Sequence, residues 1–527
     1  ALRRCGPSGG WRAVGSGRVR RGAQMAQPLD PAARASVNVS LDPNLLTRLA
    51  ARIGASQTLT NYVEIDFASH DLTAVELSPG GTSDLAREMR RAHAEGAFAA
   101  HDHHLHPKVS TLISLKMRGN PLGDEGLRVV ATALTTCPGL ALHSLNLAST
   151  AATYRGVSAV CDALLYGATV PSGGVSAIPL SKMDLSVNSI DMTAASGIAA
   201  LLRSPHTRLC DLCLSMNALG DAGVTVLANG LAANSSLQRL DLSGNLVGTA
   251  GAYALARALT SQRALTTLSL ADNALVGEEG GKAARQIIAS GVSLRSLWLG
   301  GNHFKGQDAV RNLCTIRDVL LGDPQAFARD GKLHQASPAL QGLGEHSSLP
   351  APMNHPTSIH SSPKTRLMAP NEGGSLDTHL TNLWLERTGI GGGPVVGKLL
   401  SAFGKYLEHL WLGNNGLDDI AAQAMASAME EGHAPLLRKL WLEHNRISAR
   451  GALALLNQCS DDLFQLRLVG NPIDNEQRAE LHHISQTRMR ERLGAMAGGV
   501  AANKAGANSG STINGISVQL PIFELEV

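Results

Sequence analysis

Between Leu237 and Leu299 apolar and polar positions follow a fixed order that repeats. The chain reads LQRLDLSGNLVGTAGAYALARAL, then LTTLSLADNALVGEEGGKAARQI, then LRSLWLGGNHF, and aligning Leu240, Leu268 and Leu297 gives steps of 28 and 29 residues. Each step opens with period two: Leu240 and Leu242 share one side of an extended strand while Asp241 looks out. It continues with helical period, where Ala252, Leu255, Ala256 and Leu259 recur and small residues let helix and strand lie close. Asn245, Asn273 and Asn302 fall at the bend between, where a side-chain amide both donates and accepts hydrogen bonds. One unit is therefore a strand plus a helix. No unit buries its own face, so neighbours must stack into a solenoid.

The same frame places Leu115, Leu145, Met183 and Leu212 before this stretch and Leu383, Leu410, Leu440 and Leu466 after it. With a degenerate first unit from Tyr62 to Leu72, that makes about twelve repeats. Asn120, Asn188 and Asn217 continue the ladder, whereas Thr150 and His70 stand in the Asn position of their own units.

The expected organisation is a disordered N-terminal segment over 1–40, a cap with the degenerate repeat over 41–111, and repeats over 112–321. A Pro-, Ser-, His- and Gly-rich insertion without hydrophobic period, 322–376, reads as disordered. Repeats resume over 377–475, a charged helix over 476–493 covers the open end, and a flexible tail runs over 494–527. Residues 1–24 hold six Arg and no acid, and read either as a targeting segment or as sequence outside the mature protein.

Composition changes this picture little. Aromatics make up 3% of 527 residues, which fits a core of Leu, Ala and Val. Beyond the Arg-rich start, 40 basic residues face 43 acidic ones, a near-neutral body that argues against a nucleic-acid partner. No apolar run reaches the roughly 18 residues of a membrane helix, and no membrane partner is expected. Seven scattered cysteines read as reduced thiols of a cytoplasmic protein, with the nucleus as the alternative location.

Candidate chemistry is sparse. Cys210 and Cys213 form C-x-x-C but lie three apart on one strand, facing opposite sides. The loop holding His101, His103, His104 and His106 matches no defined ligand spacing. GIGGGP, Gly389 to Pro394, sits where a phosphate loop would, yet the repeat needs glycine there to turn the chain. The final LEV, Leu525 to Val527, resembles a weak PDZ-type ligand. No catalytic signature is present, so neither enzyme activity, cofactor nor metal is expected.

The strongest functional signal is a row of tryptophans. Trp298, Trp384, Trp411 and Trp441 take the same position in four consecutive repeats, each between two inward leucines. They must project from the exposed face, and at a strand spacing of about 4.8 Å the rings span roughly 15 Å. A contiguous exposed aromatic row marks a partner site, although rings stacked only on one another give the same pattern. Glu386, Arg387, Glu443, His444 and Arg467 are the expected polar rim. Earlier repeats carry Lys116, Asn146, Asp184, Asp241 and Ser269 at the equivalent place.

The unit L-x-x-L-x-L-x-x-N-x-L-G-x-x-G over about residues 59–475 resembles the ribonuclease-inhibitor-type leucine-rich repeat. That repeat is shared with NOD-like receptors and with GTPase activators of Ran. The resemblance implies an α/β leucine-rich repeat solenoid, a horseshoe with parallel strands on its concave face and helices on its convex face. It also implies a non-enzymatic scaffold or regulator that binds a protein partner on the concave face. The alternative it offers is a GTPase-activating regulator of a small Ran-like GTPase. Two departures weigh against close kinship: the sequence carries no P-loop motif ahead of the repeats, and Gly494–Val527 holds only Glu524 and Glu526 where Ran activators are strongly acidic.

Overall fold

The computed structural model describes residues 36–40, 60–81, 84–91, 110–136, 142–166, 168–169, 175–176, 178, 180–314, 379–459, 463–488 and 524–527. The Arg-rich start, residues 41–59 of the expected cap, the His101–His106 loop, the 322–376 insertion and tail residues 494–523 lie outside the described residues.

The first eight strands are β1 (Ser36–Ser40), β2 (Thr60–Asp66), β3 (Ser110–Lys116), β4 (Leu142–Asn146), β5 (Ala168–Thr169), β6 (Val175–Ser176), β7 (Lys182–Asp184) and β8 (Asp211–Cys213). The next eight are β9 (Arg239–Asp241), β10 (Thr267–Ser269), β11 (Ser296–Trp298), β12 (Asn382–Trp384), β13 (His409–Trp411), β14 (Lys439–Trp441), β15 (Gln465–Arg467) and β16 (Glu524–Glu526). β5 and β6 pair as a small hairpin, and the other fourteen form one sheet in sequence order. Only β1–β2 is antiparallel among its pairings; the rest are parallel, as right-handed strand–helix units require.

The register follows the leucines. Leu240 lies beside Leu212 and Leu268, and the file continues through Leu297, Leu383, Leu410, Leu440 and Leu466. Leu297 and Leu383 are direct neighbours, so the residues between them in sequence interrupt the chain but not the sheet. Helices such as Gly220–Ala232, Thr249–Leu259 and Asp419–Glu430 pack against their neighbours on the other side. Leu, Ala, Val and Ile fill the space between the layers. Each fully buried leucine contributes about 1.5–3 kcal/mol, so stacking supplies what no single unit has.

The asparagines tie repeats together rather than merely closing their own turns. Asn245 Nδ2 donates to Leu242 O, three residues back, and to Leu214 O of the preceding repeat. Asn445 does the same with Leu442 O and Leu412 O, while its Oδ1 accepts from Asn415 N and Leu417 N. Thr150 and Thr388 keep the bond within their own turn, to Leu147 O and Leu385 O, but have no amide to reach the preceding repeat. At the other end of the turn, an aspartate caps the helix of the next repeat. Asp124 accepts from Thr153 N and Gly156 N, Asp221 from Gly248 N and Gly251 N, and Asp419 from Ser448 N. Burial raises the Asp124 carboxyl, but hydrogen bonds from Thr153 and Gly156 carry it below the usual carboxylate range.

The residue just before the ladder position takes a positive φ throughout, as at Met216, Gly244, Asp272, Gly301, Arg387, Asn414 and His444. Val187 does so as well, with φ 55°, a costly conformation for a β-branched side chain.

Two expectations need correction. Residues 36–40, read as part of a disordered segment, form β1 against β2, with Val37 beside Ile65 and Val39 beside Val63. The V-x-V alternation favours a strand, which covers the first edge of the sheet. Residues 524–526, read as part of a flexible tail with only a weak PDZ-type match, instead add to β15 in parallel, Leu466 beside Leu525. Glu-Leu-Glu-Val reproduces the x-L-x-L strand pattern, and its leucine enters the core.

Candidate functional site

The sheet brings the four tryptophans together. Trp298, Trp384, Trp411 and Trp441 are neighbours on β11 to β14 in one register file. Leucines on both sides are buried, which forces each indole onto the open face. Trp298 is 41% exposed, whereas the other three are half-buried.

The rings bury one another. Trp384 stacks on Trp411 with centroids 4.5 Å apart and planes 5° from parallel, and Trp411 meets Trp441 edge-on at 4.8 Å. Trp298 tilts against Trp384 at 5.2 Å. Trp384 and Trp441 come within 6.4 Å although Trp411 lies between their strands, so the row bends and is more compact than an evenly spaced ladder. Side-chain rotation, which strand spacing does not encode, produces the bend. Trp384 Nε1 donates to Glu386 Oε2 at 3.3 Å and Trp441 Nε1 to Gln465 Oε1 at 3.2 Å. The buried Nε1 of Trp411 has no acceptor among the described residues.

The expected rim divides. Glu386 and Arg467 touch the rings: Glu386 through Trp384, and Arg467 with its guanidinium 5.3 Å from the Trp441 centroid. Arg467 is held by Glu443 at 3.0 Å and by Glu526 at 2.7 Å. Arg387 reaches the other way, across Gly301, to Asp272 at 3.2 Å. A side chain at Gly301 would collide with that aspartate. His444 stands exposed at its turn.

The residues two positions before each tryptophan were missed in the sequence, although period two puts them on the same face. His409 sits edge-on to Trp411 at 5.6 Å and Lys439 Nζ lies 6.0 Å from the Trp441 centroid. Burial lowers the His409 imidazole below its ordinary range and Lys439 adds repulsion, so the ring is neutral near pH 7.

The other motifs serve the fold. Cys210 Sγ bonds its neighbour Arg208 O, while Cys213 Sγ meets Ser215 Oγ. Burial pushes the Cys213 thiol up to about 11, the opposite of a reactive thiol. In GIGGGP, Gly391 N donates to Asn415 O and Gly393 N to Asp418 Oδ1, so donors a phosphate would need are spent on the next repeat. No group of three or more His, Cys, Asp or Glu suited to a metal occurs among the described residues, and no helix there is long and apolar enough to cross a membrane.

A family model and one relative in sequence agree with this repeat architecture. The family model described as leucine-rich repeat matches residues 110–131 and 233–256. The ribonuclease inhibitor of Sus scrofa is 33% identical over 131 residues, which span 25% of this chain and 26% of the inhibitor. The chain thus aligns with about a quarter of that relative's length. Among solved structures, an internalin of Listeria monocytogenes aligns over 76% of this chain and 92% of its own, at 15% identity and a TM-score of 0.35. TLR13 in complex with ssRNA13 aligns over 70% of this chain and 41% of its own, again at 15% identity and a TM-score of 0.35. The repeating unit, the Asn ladder, the ordered parallel sheet and the matched repeats show an α/β leucine-rich repeat solenoid whose repeats are similar to those of the ribonuclease inhibitor.

Proposed function

We propose that this chain is a non-enzymatic scaffold that binds a protein partner on the strand face, with the tryptophan row as its anchor. The observation that carries the reading is Trp298, a large ring 41% exposed at the end of a packed aromatic row. Packing on Trp384 holds it in place, so binding would cost it little side-chain entropy. Glu386, Arg387, Glu443, His444 and Arg467 supply the polar surround, with both signs of charge. Since the inner three rings spend surface on each other, Trp298 is the better single anchor.

The test is affinity capture from the source cell, comparing the full chain with Trp298→Ala and with a Trp384→Ala, Trp411→Ala double variant. Circular dichroism checks that all remain folded. Partner affinity should fall by about 2 kcal/mol or more in Trp298→Ala. Full retention of every partner by both variants would sink the reading. A small GTPase among retained partners would turn attention to the GTPase-activating alternative and the early repeats.

A further inference from the structure

The edge of β15 carries an occupant unlike any other in the sheet. β7 to β15 each run straight into the turn and helix of their own repeat, but β16 is joined to what it caps only through residues 489–523. Residues 524–527, the strand and the valine after it, nevertheless take true repeat positions. Leu525 continues the Leu440 and Leu466 file and is 8% exposed, and Val527 packs partly buried against the same core. Glu526 continues the tryptophan file, where it accepts from Arg467 Nε at 2.7 Å. Leu468 N donates to Glu526 O at 2.6 Å, repeating the bond of Leu442 N to Arg467 O. The β15 edge is thus an acceptor groove with three parts: ladder donors and acceptors, an apolar slot, and a cation.

None of these contacts depends on which chain supplies the strand. The same four residues from another molecule would make the same backbone bonds, bury the same leucine and meet the same guanidinium. Exchange would therefore lose none of these contacts, at the cost of the entropy of association. The strand is also weakly retained, since it is three residues long and its Arg467 is already shared with Glu443. We propose that the β15 edge accepts residues 524–527 of a second copy of this chain, so that two copies exchange these strands reciprocally.

Two full-length charge variants test this. Arg467→Glu opposes its own Glu526, and Glu526→Lys opposes its own Arg467. Mixed together, each groove finds a complementary strand only on the other variant. Analytical ultracentrifugation should find each variant alone monomeric and the mixture at twice that mass. A mixture that stays monomeric, with both variants folded by circular dichroism, overturns the proposal and leaves β16 as an intrachain cap. A second measurement uses wild-type grooves: chains carrying two different affinity tags, mixed at high concentration, should co-purify, and should cease to do so when both carry Leu525→Asp. No co-purification of the tagged wild-type chains, or co-purification that survives Leu525→Asp, overturns it as well.

Discussion

Lys116, Asn146, Asp184, Cys213, Asp241 and Ser269 occupy on one half of the sheet the strand position that Trp298, Trp384, Trp411 and Trp441 occupy on the other. Beneath them the backbone is alike: buried leucines flank both sets, with Met117 and Met183 standing in at two places, and ladder asparagines close turns of both halves. The polar half satisfies itself locally, with Asp241 accepting from Ser243 N and Oγ, Asn146 donating to Asp184, and Lys116 3.7 Å from Asp66. The aromatic half satisfies itself through rings that leave an apolar surface at Trp298. What differs is the face alone, because in a solenoid the outward residue of each strand is free of the packing that fixes the inward ones.

This separation has consequences ordered by size. Asn245→Ala in the polar half and Asn445→Ala in the aromatic half should each cost about 3 kcal/mol, because each takes the acceptor from buried N–H groups of the preceding repeat, Leu219 N or Asn415 N and Leu417 N, and one of two amide bonds from carbonyls in two repeats. Chemical denaturation measures both, and a large inequality would break the claim of a common scaffold. Trp411→Ala should cost about 2 kcal/mol, since it removes a half-buried ring packed on both sides, whereas Ser269→Ala should cost about 1 kcal/mol, the loss of its one hydroxyl bond to Ser243. Equal losses would mean that the aromatic face adds nothing to the fold. Val187→Asn should stabilise by about 1 kcal/mol, since asparagine tolerates the left-handed turn that valine resists. A lower melting temperature in this variant would refute that account of the turn.

Acid should distinguish the halves most gently. The native His409 binds its proton less readily than the unfolded chain does, so protons favour the unfolded state. Stability should decline as pH falls below about 6.5, the ordinary imidazole value, and level off below the native value. His409→Gln should flatten that decline, and tryptophan fluorescence follows the surrounding rings through the titration.

Much of this molecule is legible in its sequence because the fold repeats. Leu240, Leu268 and Leu297 announce the strand file, Asn245 the turn and Trp298 the open face, each by period alone. What escaped is set by relations without a period. Asp221 caps a helix in the next repeat, and Arg387 crosses Gly301 to Asp272. The bend in the tryptophan row follows from side-chain rotation. β1 and β16 come from segments too short to show a repeat, yet both carry a two-residue alternation, V-x-V and L-x-V, that edge pairing exploits.

The two threonines of the ladder mark where the molecule would part under tension. At Thr150 and Thr388 the ladder position itself holds no amide to tie its turn to the one before, which leaves Asp124 and the Asn382–Ser296 bond to cross these two boundaries, and at the first of them the β3–β4 register also slips. The sheet is thus three mechanical blocks with two seams. The second seam, between β11 and β12, is bridged by Trp298 against Trp384 and by Arg387 reaching Asp272. A ligand seated there would act as a rivet: pulled in a single-molecule trap, the bound chain should yield first at Thr150, and the free chain at either seam.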